Sequence, residues 1–440
     1  MWKKGNICLW LLMAVLLLSG CSIRTIEDLY CLPKRSEEYQ NLQMLIDGVM
    51  VNLEYSAPIS GENQQTVQMV DLNGDGEMEY LLFAKGNSEK PLNVFIFGKS
   101  GENYLLLDTI ECAGTAFEQV EYVKMSDDGS TQLVIGRQLS DQVVRSVSVY
   151  TMRDGQMEQL LSTGYSRFVC HDMDADHKTE LLILRPGRSD ADNGIAELYS
   201  LKQGAMERSG EVNMSRPSDQ IKRIIVGKLI DGARAVYVAS DVDGSAIITD
   251  VYAMVDGHFV NVSFSNESGT SVQTLRNYYV YADDIDNDGV VELPSLINMR
   301  QLESGNVVSN QYLIRWYAMR SDGAEVDKMY TYHNFVGGWY LELGSEYVSR
   351  LTVMQLGNSY EFSVWNEDFS QTERIMTIYA LTGQKREEQA QIDNRFVIYR
   401  SETTVYAANL EVASGAYGMS QDGLISSFRL ILQDWNTGET

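Results

Sequence analysis

Residues 71–79 read Asp-Leu-Asn-Gly-Asp-Gly-Glu-Met-Glu, with oxygen-bearing side chains at the first, third, fifth and ninth positions. Alternate side chains of a tight loop converge on one point, and a hard divalent cation such as calcium takes roughly six to eight oxygen ligands from a flexible loop of this kind. Asp71, Asn73, Asp75 and Glu79 would be side-chain ligands, and Glu77 would add its backbone carbonyl. Gly76 supplies the tight turn with positive φ. The frame recurs as Asp172, Asp174, Asp176 and Glu180, where His177 replaces the glycine and weakens the site. It recurs again as Asp284, Asp286, Asp288 and Glu292. An EF-hand would close with a bidentate Glu at position twelve and be flanked by helices. Position twelve here is Leu82, Ile183 and Ser295, and the first two continue into β-type runs. Plain turns are the alternative, because Asp, Asn and Gly form turns in any case. Three complete loops in one register favour a metal of structural role, bound at around 10⁻⁴ to 10⁻³ M as in extracellular modules.

The three loops start 101 and 112 residues apart, about twice a common unit, so a degenerate copy is expected midway in each gap. Lys124–Gln132, with Asp127-Asp128-Gly129, fills the first gap, and Gly227–Ala235, with Asp231-Gly232, fills the second. Both lack the acids at positions one, three and nine, so no metal is expected there. Each of the five units continues into short apolar runs separated by Gly and Asp-Gly turns, the signature of antiparallel strands. A unit of about fifty residues built from four strands has the length of a propeller blade. The acid-rich loop entering a strand resembles the FG-GAP and VCBS repeats of bacterial surface proteins and of the integrin alpha-chain propeller, over roughly residues 57–335. That family usually carries Asp at the ninth position, where this chain has Glu, which leaves the denticity of the ninth ligand open.

The resemblance implies a mainly β fold, a calcium-stabilised β-propeller of five recognisable blade repeats, with six or more blades where residues near 344–365 add another. Repeats are assigned to 57–344, preceded by an amphipathic helix over 36–56 and followed at 345–440 by a small α+β module or a final blade plus helix. Ser36 caps the first helix, and Leu42, Leu45, Ile46, Val49, Met50 and Leu53 form its apolar stripe. Ser420 caps a second, with Leu424, Phe428, Ile431 and Trp435 on one face. Aromatic residues at 278–281 and 316–340 are expected in the core and in cross-strand pairs rather than on a glycan-stacking surface.

At the N-terminus, Lys3 and Lys4 precede an apolar run from Ile7 to Leu18 that is too short to span a membrane comfortably and ends in Leu18-Ser19-Gly20-Cys21. The segment resembles a bacterial lipoprotein signal peptide, which implies cleavage after residue 20, lipidation of Cys21, a tether over 21–35 and a membrane partner reached through the lipid anchor. The chain is then extracytoplasmic, on the outer face of the bacterial cell membrane. Beyond Cys21, three cysteines of the mature chain do not make an even disulfide set. With 61 acids against 35 Lys and Arg, the net charge of -26 repels nucleic acid and attracts cations. His171 and His177 border a loop of hard oxygens, which disfavours zinc chemistry there. The expected role is a module binding an extracellular protein or glycan, with a glycan-active enzyme of non-local active site, or a sensing or accessory subunit of an envelope complex, as alternatives.

Overall fold

The computed structural model describes residues 37–101, 103–140, 144–189, 192–300, 312–346 and 348–431. Cys21, Cys31, Ser36 and Trp435 lie outside the described residues. Among the described residues the fold is mainly β, built of six antiparallel sheets that follow one another along the chain.

Four sheets are meanders in which consecutive strands pair in order, or nearly so. The first pairs both Glu54–Tyr55 and Val67–Val70 with Glu79–Lys85, then adds Leu92–Ser100 and Asn103–Cys112. The second runs Ala116–Val123, Gln132–Gln138, Arg145–Arg153, Gln156–Tyr165, and the third Arg167–His171, Glu180–Arg185, Ile195–Lys202, Ala205–Asn213. The fourth runs Ile221–Lys228, Arg234–Val242, Ala246–Val255, His258–Asn261. The fifth contains Glu292–Asn298, Tyr312–Met319, Glu325–Asn334 and Trp339–Leu343, and takes Phe428–Leu430 from the far end of the chain onto its last strand. The sixth orders Leu351–Leu356, Ser359–Trp365, Thr372–Thr382, Thr404–Leu410, Phe396–Arg400.

The second strand of each repeat reads as a continuous apolar run because both of its faces are covered. Leu81 and Phe83 point toward Phe117, Leu133 and Ile135 of the second sheet, whereas Leu82 and Ala84 meet the helix Glu37–Val49 through Leu42 and Ile46. Alternate faces continue in the same way. Val134 and Val149 pack on Leu181 and Ile183, Leu182 and Leu184 on Val236 and Val238, and Tyr237 and Val251 on Leu293 and Tyr317. Leu313, Tyr332 and Leu341 then pack on Val353, Phe362 and Ile378. Each fully buried residue of this size contributes roughly 1.5–3 kcal/mol. Face-to-face stacking of successive meanders is a propeller-like arrangement. The outermost strand of each meander is wetter, as in Gln156–Tyr165 and Ala205–Asn213, where exposed residues recur along the strand.

The two ends of this stack are covered by helical segments. The helix Glu37–Val49 covers the free face of the first sheet, and on the sixth sheet Leu381, Val405 and Ala407 lie against Ala390, which ends the short helix Arg386–Gln389. Ser420 does cap a helix, accepting from the Gly423 N–H, but that helix ends at Ser427. Phe428 is drawn into strand pairing with Leu341 and stacks on Trp339, so tertiary hydrogen bonds replace the helical ones expected through Ile431. Trp316, Tyr332 and Trp339 are buried core residues. Cys112 and Cys170 are free thiols. Among the described residues no helix is long and apolar enough to cross a membrane.

Candidate metal centres

Eight residues separate the paired strand ends in the first, second, third and fifth loops: Val70 pairs with Glu79, Val123 with Gln132, His171 with Glu180, and Asp283 with Glu292. In the fourth, Lys228 pairs with Arg234 and only five residues intervene. The frame expected over Gly227–Ala235 therefore does not form; a tight turn with the Leu229 N–H on the Ala233 carbonyl takes its place.

The three acid-rich loops share one hydrogen-bond scheme. The acid at position one accepts the N–H of position six: Asp71 from Gly76, Asp172 from His177, and Asp284 from Gly289. Position three accepts from position five, with Asn73, Asp174 and Asp286 bonded to the N–H groups of Asp75, Asp176 and Asp288. Asp75, Asp176 and Asp288 in turn accept from the N–H of Glu77, Lys178 and Val290. Finally, one oxygen of the ninth-position Glu accepts from the second residue, at 2.8 Å for Glu79 with Leu72, 2.8 Å for Glu180 with Met173 and 3.1 Å for Glu292 with Ile285. The second residue is buried, so the loop is pinned by an apolar plug and a carboxylate together. A Glu is long enough to reach back across the loop in this way, which occupies one of its two oxygens. In the second loop Gln132 makes the same bond to the Met125 N–H at 2.7 Å, which keeps the shape and removes the charge.

Carboxylate oxygens of Asp172, Asp174 and Glu180 lie within 4.8 Å of one another, as do those of Asp284, Asp286 and Glu292, and either trio could hold a metal ion. In the first loop Asn73 turns its Nδ2 toward Asp75, at 3.0 Å, and toward Glu79, at 3.5 Å, so a nitrogen rather than an oxygen faces the acids. Burial pushes Glu180 and Glu292 up to about 7, helped by the neighbouring aspartates, and raises Glu79 as well. Oε1 of the fully buried Glu292 has no hydrogen-bond partner, and neither has Oδ1 of Asp172. Orphaned buried carboxylate oxygens in an all-oxygen donor set fit a hard cation.

Three cations that the repeat frame does not contain or assign reach these loops. Arg234 pairs with Asp172, Lys178 bridges Asp176 and Asp127 at 3.1 Å each, and Lys328 lies among Asp286, Asp288 and Glu292. Only Lys178 sits inside a loop where its charge could have been read; Arg234 and Lys328 arrive from later strands. The loops are stitched in a row. Leu72 O accepts from the Thr131 N–H, Lys124 O from Thr179, and Lys228 O from Val291; where the short fourth loop offers no such N–H, the Arg234 guanidinium donates to Asp172 O. Beside the third loop opens a polar cleft of about 750 Å³ whose lining includes Ser126, Asp128, Arg153, Asp174, Asp176 and Lys202.

No family model matches the chain, and no curated protein matches it. Among solved structures, a protein from Lactobacillus plantarum is similar at 11% identity, covering 72% of this chain and 85% of that one with a TM-score of 0.30. A rhamnogalacturonan lyase from Bacillus licheniformis is similar at 12% identity, covering 74% and 72% with a TM-score of 0.28. The β-propeller domain of the Trilobed protease from Pyrococcus furiosus is similar at 12% identity, covering 72% and 89% with a TM-score of 0.27.

Proposed function

We propose that this protein is a lipid-anchored, calcium-stabilised β-propeller of the FG-GAP/VCBS kind that binds a protein or glycan outside the cytoplasm. The observation that carries the metal reading is the shared hydrogen-bond scheme of the three loops, with carboxylates converging in two of them. Neutralising three or four clustered acids while leaving the chain path unchanged is structural work, and the net charge of -26 favours cation uptake. The cleft beside the third loop is the binding surface, because it joins hydroxyls, acids and cations next to a site whose bound ion would itself be a contact point. The leader ending at Cys21 supports the anchored, extracytoplasmic placement.

The test is a thermal melt across calcium concentrations up to millimolar, followed by EDTA. The midpoint should rise and EDTA should reverse the rise; a midpoint that stays unchanged over that range would overturn the metal reading. Asp174→Ala should remove part of the rise, whereas Asp128→Ala should leave it whole. For the binding role, calcium-loaded protein incubated with cell-surface polysaccharides and proteins should form a complex with ligand of unaltered mass. Shortened saccharide products would favour a glycan-active enzyme instead.

A further inference from the structure

The fifth loop already holds a cation of the protein's own. Lys328, on the strand Glu325–Asn334, hydrogen-bonds Asp288 through its ammonium and lies 3.3 Å from Asp286 Oδ2 and 3.9 Å from Glu292 Oε1. Its side chain is largely buried, at 18% exposure, and Glu292 is fully buried with Oε1 lacking a hydrogen-bond partner. The ammonium thus stands beside the oxygens on which a metal ion at this loop would converge, Asp286 and Glu292 being shared by both sets. At the first loop no ion pair to Asp71, Asp75 or Glu79 occurs among the described residues. At the third, Arg234 pairs with Asp172, itself one of the converging trio, and Lys178 with the outlying Asp176, whereas no lysine or arginine pairs with Glu180 among the described residues.

We propose that Lys328 is the resident counter-ion of the fifth loop, and that calcium enters this loop only by displacing its ammonium. An ammonium and a divalent ion a few ångströms apart repel strongly in a partly buried site, so the same carboxylates cannot serve both. The loop therefore has two partly charge-compensated states, one closed by Lys328 and one closed by metal, and calcium affinity there is lower than the donor set alone would give. Four carboxylates with an internal ammonium also keep the fifth sheet's entry loop assembled when calcium is scarce. This inference rests on the reading of the loops as calcium sites.

The experiment is a calorimetric calcium titration of the full-length chain in mild detergent, comparing wild type with Lys328→Met, Lys328→Gln and Lys328→Arg. The two neutral variants should bind calcium at the fifth loop about tenfold tighter or more, and Lys328→Arg should match wild type. In EDTA the neutral variants should melt below wild type, and calcium should restore them. Adding Asp286→Asn to Lys328→Met should abolish the gained affinity, which places it at this loop. Should either neutral variant fail to fold, the other carries the comparison. If wild type binds calcium and the neutral variants bind it with the same number of sites and affinities, the Lys328 proposal fails while the calcium reading stands. If no variant binds calcium at all, both fail.

Discussion

At the residue scale, the shared loop geometry imposes left-handed backbone at positions four and six, and the three copies meet that demand differently. Gly74 and Gly76 take φ of 78° and 89°, and Asn287 and Gly289 take 60° and 85°, but the third loop places Ala175 at 65° and His177 at 69°. A side chain in this region costs roughly 1–2 kcal/mol. His177→Gly should therefore raise stability by about 1 kcal/mol, less the chain entropy glycine adds to the unfolded state. Urea denaturation in EDTA reads this directly, and a variant no more stable than wild type contradicts the strain. His333 offers a second, independent readout. It is fully buried against the rings of Trp316, Phe335 and Tyr340, and burial holds it down to about 3 from its ordinary 6.5. A depressed folded-state value means that the unfolded chain takes up the proton first. The stability contribution is whole above pH 6.5 and is lost progressively as pH falls, by about 2 kcal/mol at pH 5. His333→Phe should flatten that part of the acid slope; an identical slope would show that the ring does not titrate on unfolding. The alternating oxygens of the loops were legible in the sequence because the scheme is local. Lys328 was not, since it stands 36 residues beyond Glu292 on a strand, where a lone lysine reads as a solvated charge.

At the scale of elements, the strands were legible wherever their faces are buried on both sides, as in Leu81–Ala84 and Leu181–Leu184. The third and fourth strands were legible too, through the Gly and Asp-Gly turns between them, as at Asp256-Gly257 between Ala246–Val255 and His258–Asn261. The far end was misread for a physical reason. Leu424 and Phe428 stand four apart and look like one helical face, yet Phe428 has an aromatic nest available on another element. It stacks at 5.4 Å on Trp339 and meets the Tyr406 ring in a tilted contact at 4.9 Å, and its backbone completes the fifth sheet. Phe428→Ala should cost about 3–5 kcal/mol, the usual range for emptying a buried aromatic site. Truncation to Ala at Val336, which is 90% exposed, should cost almost nothing. Equal losses in urea denaturation would mean that the C-terminal strand contributes no more than a frayed end. The fourth loop was misaligned because Asp231-Gly232 imitates the longer frame in composition, while its five-residue span is visible only from strand pairing.

At the scale of the whole molecule, the six sheets of the described residues stack in chain order with helical segments over both end faces, and a row of hydrogen-bonded loops runs between neighbouring sheets. A chain with 61 acids and 35 basic side chains repels itself when compact. In EDTA its thermal midpoint should rise as sodium chloride increases from about 20 to 300 mM, because the Debye length shrinks from roughly 20 Å to below 8 Å. A midpoint that falls or stays level would show that the acids are already compensated by partners such as Arg234, Lys178 and Lys328. By itself the sequence determined the repeat, the alternation of β-forming runs and acid-rich turns, and the oxygen types at each loop, because all of these depend on neighbours within a few residues. Only the tertiary structure decided which loops have room for a ninth-position Glu, which carboxylates converge, which oxygens are orphaned, and which cations arrive from distant strands. Those outcomes depend on register and on charge brought together across sheets, and neither is encoded by spacing along the chain.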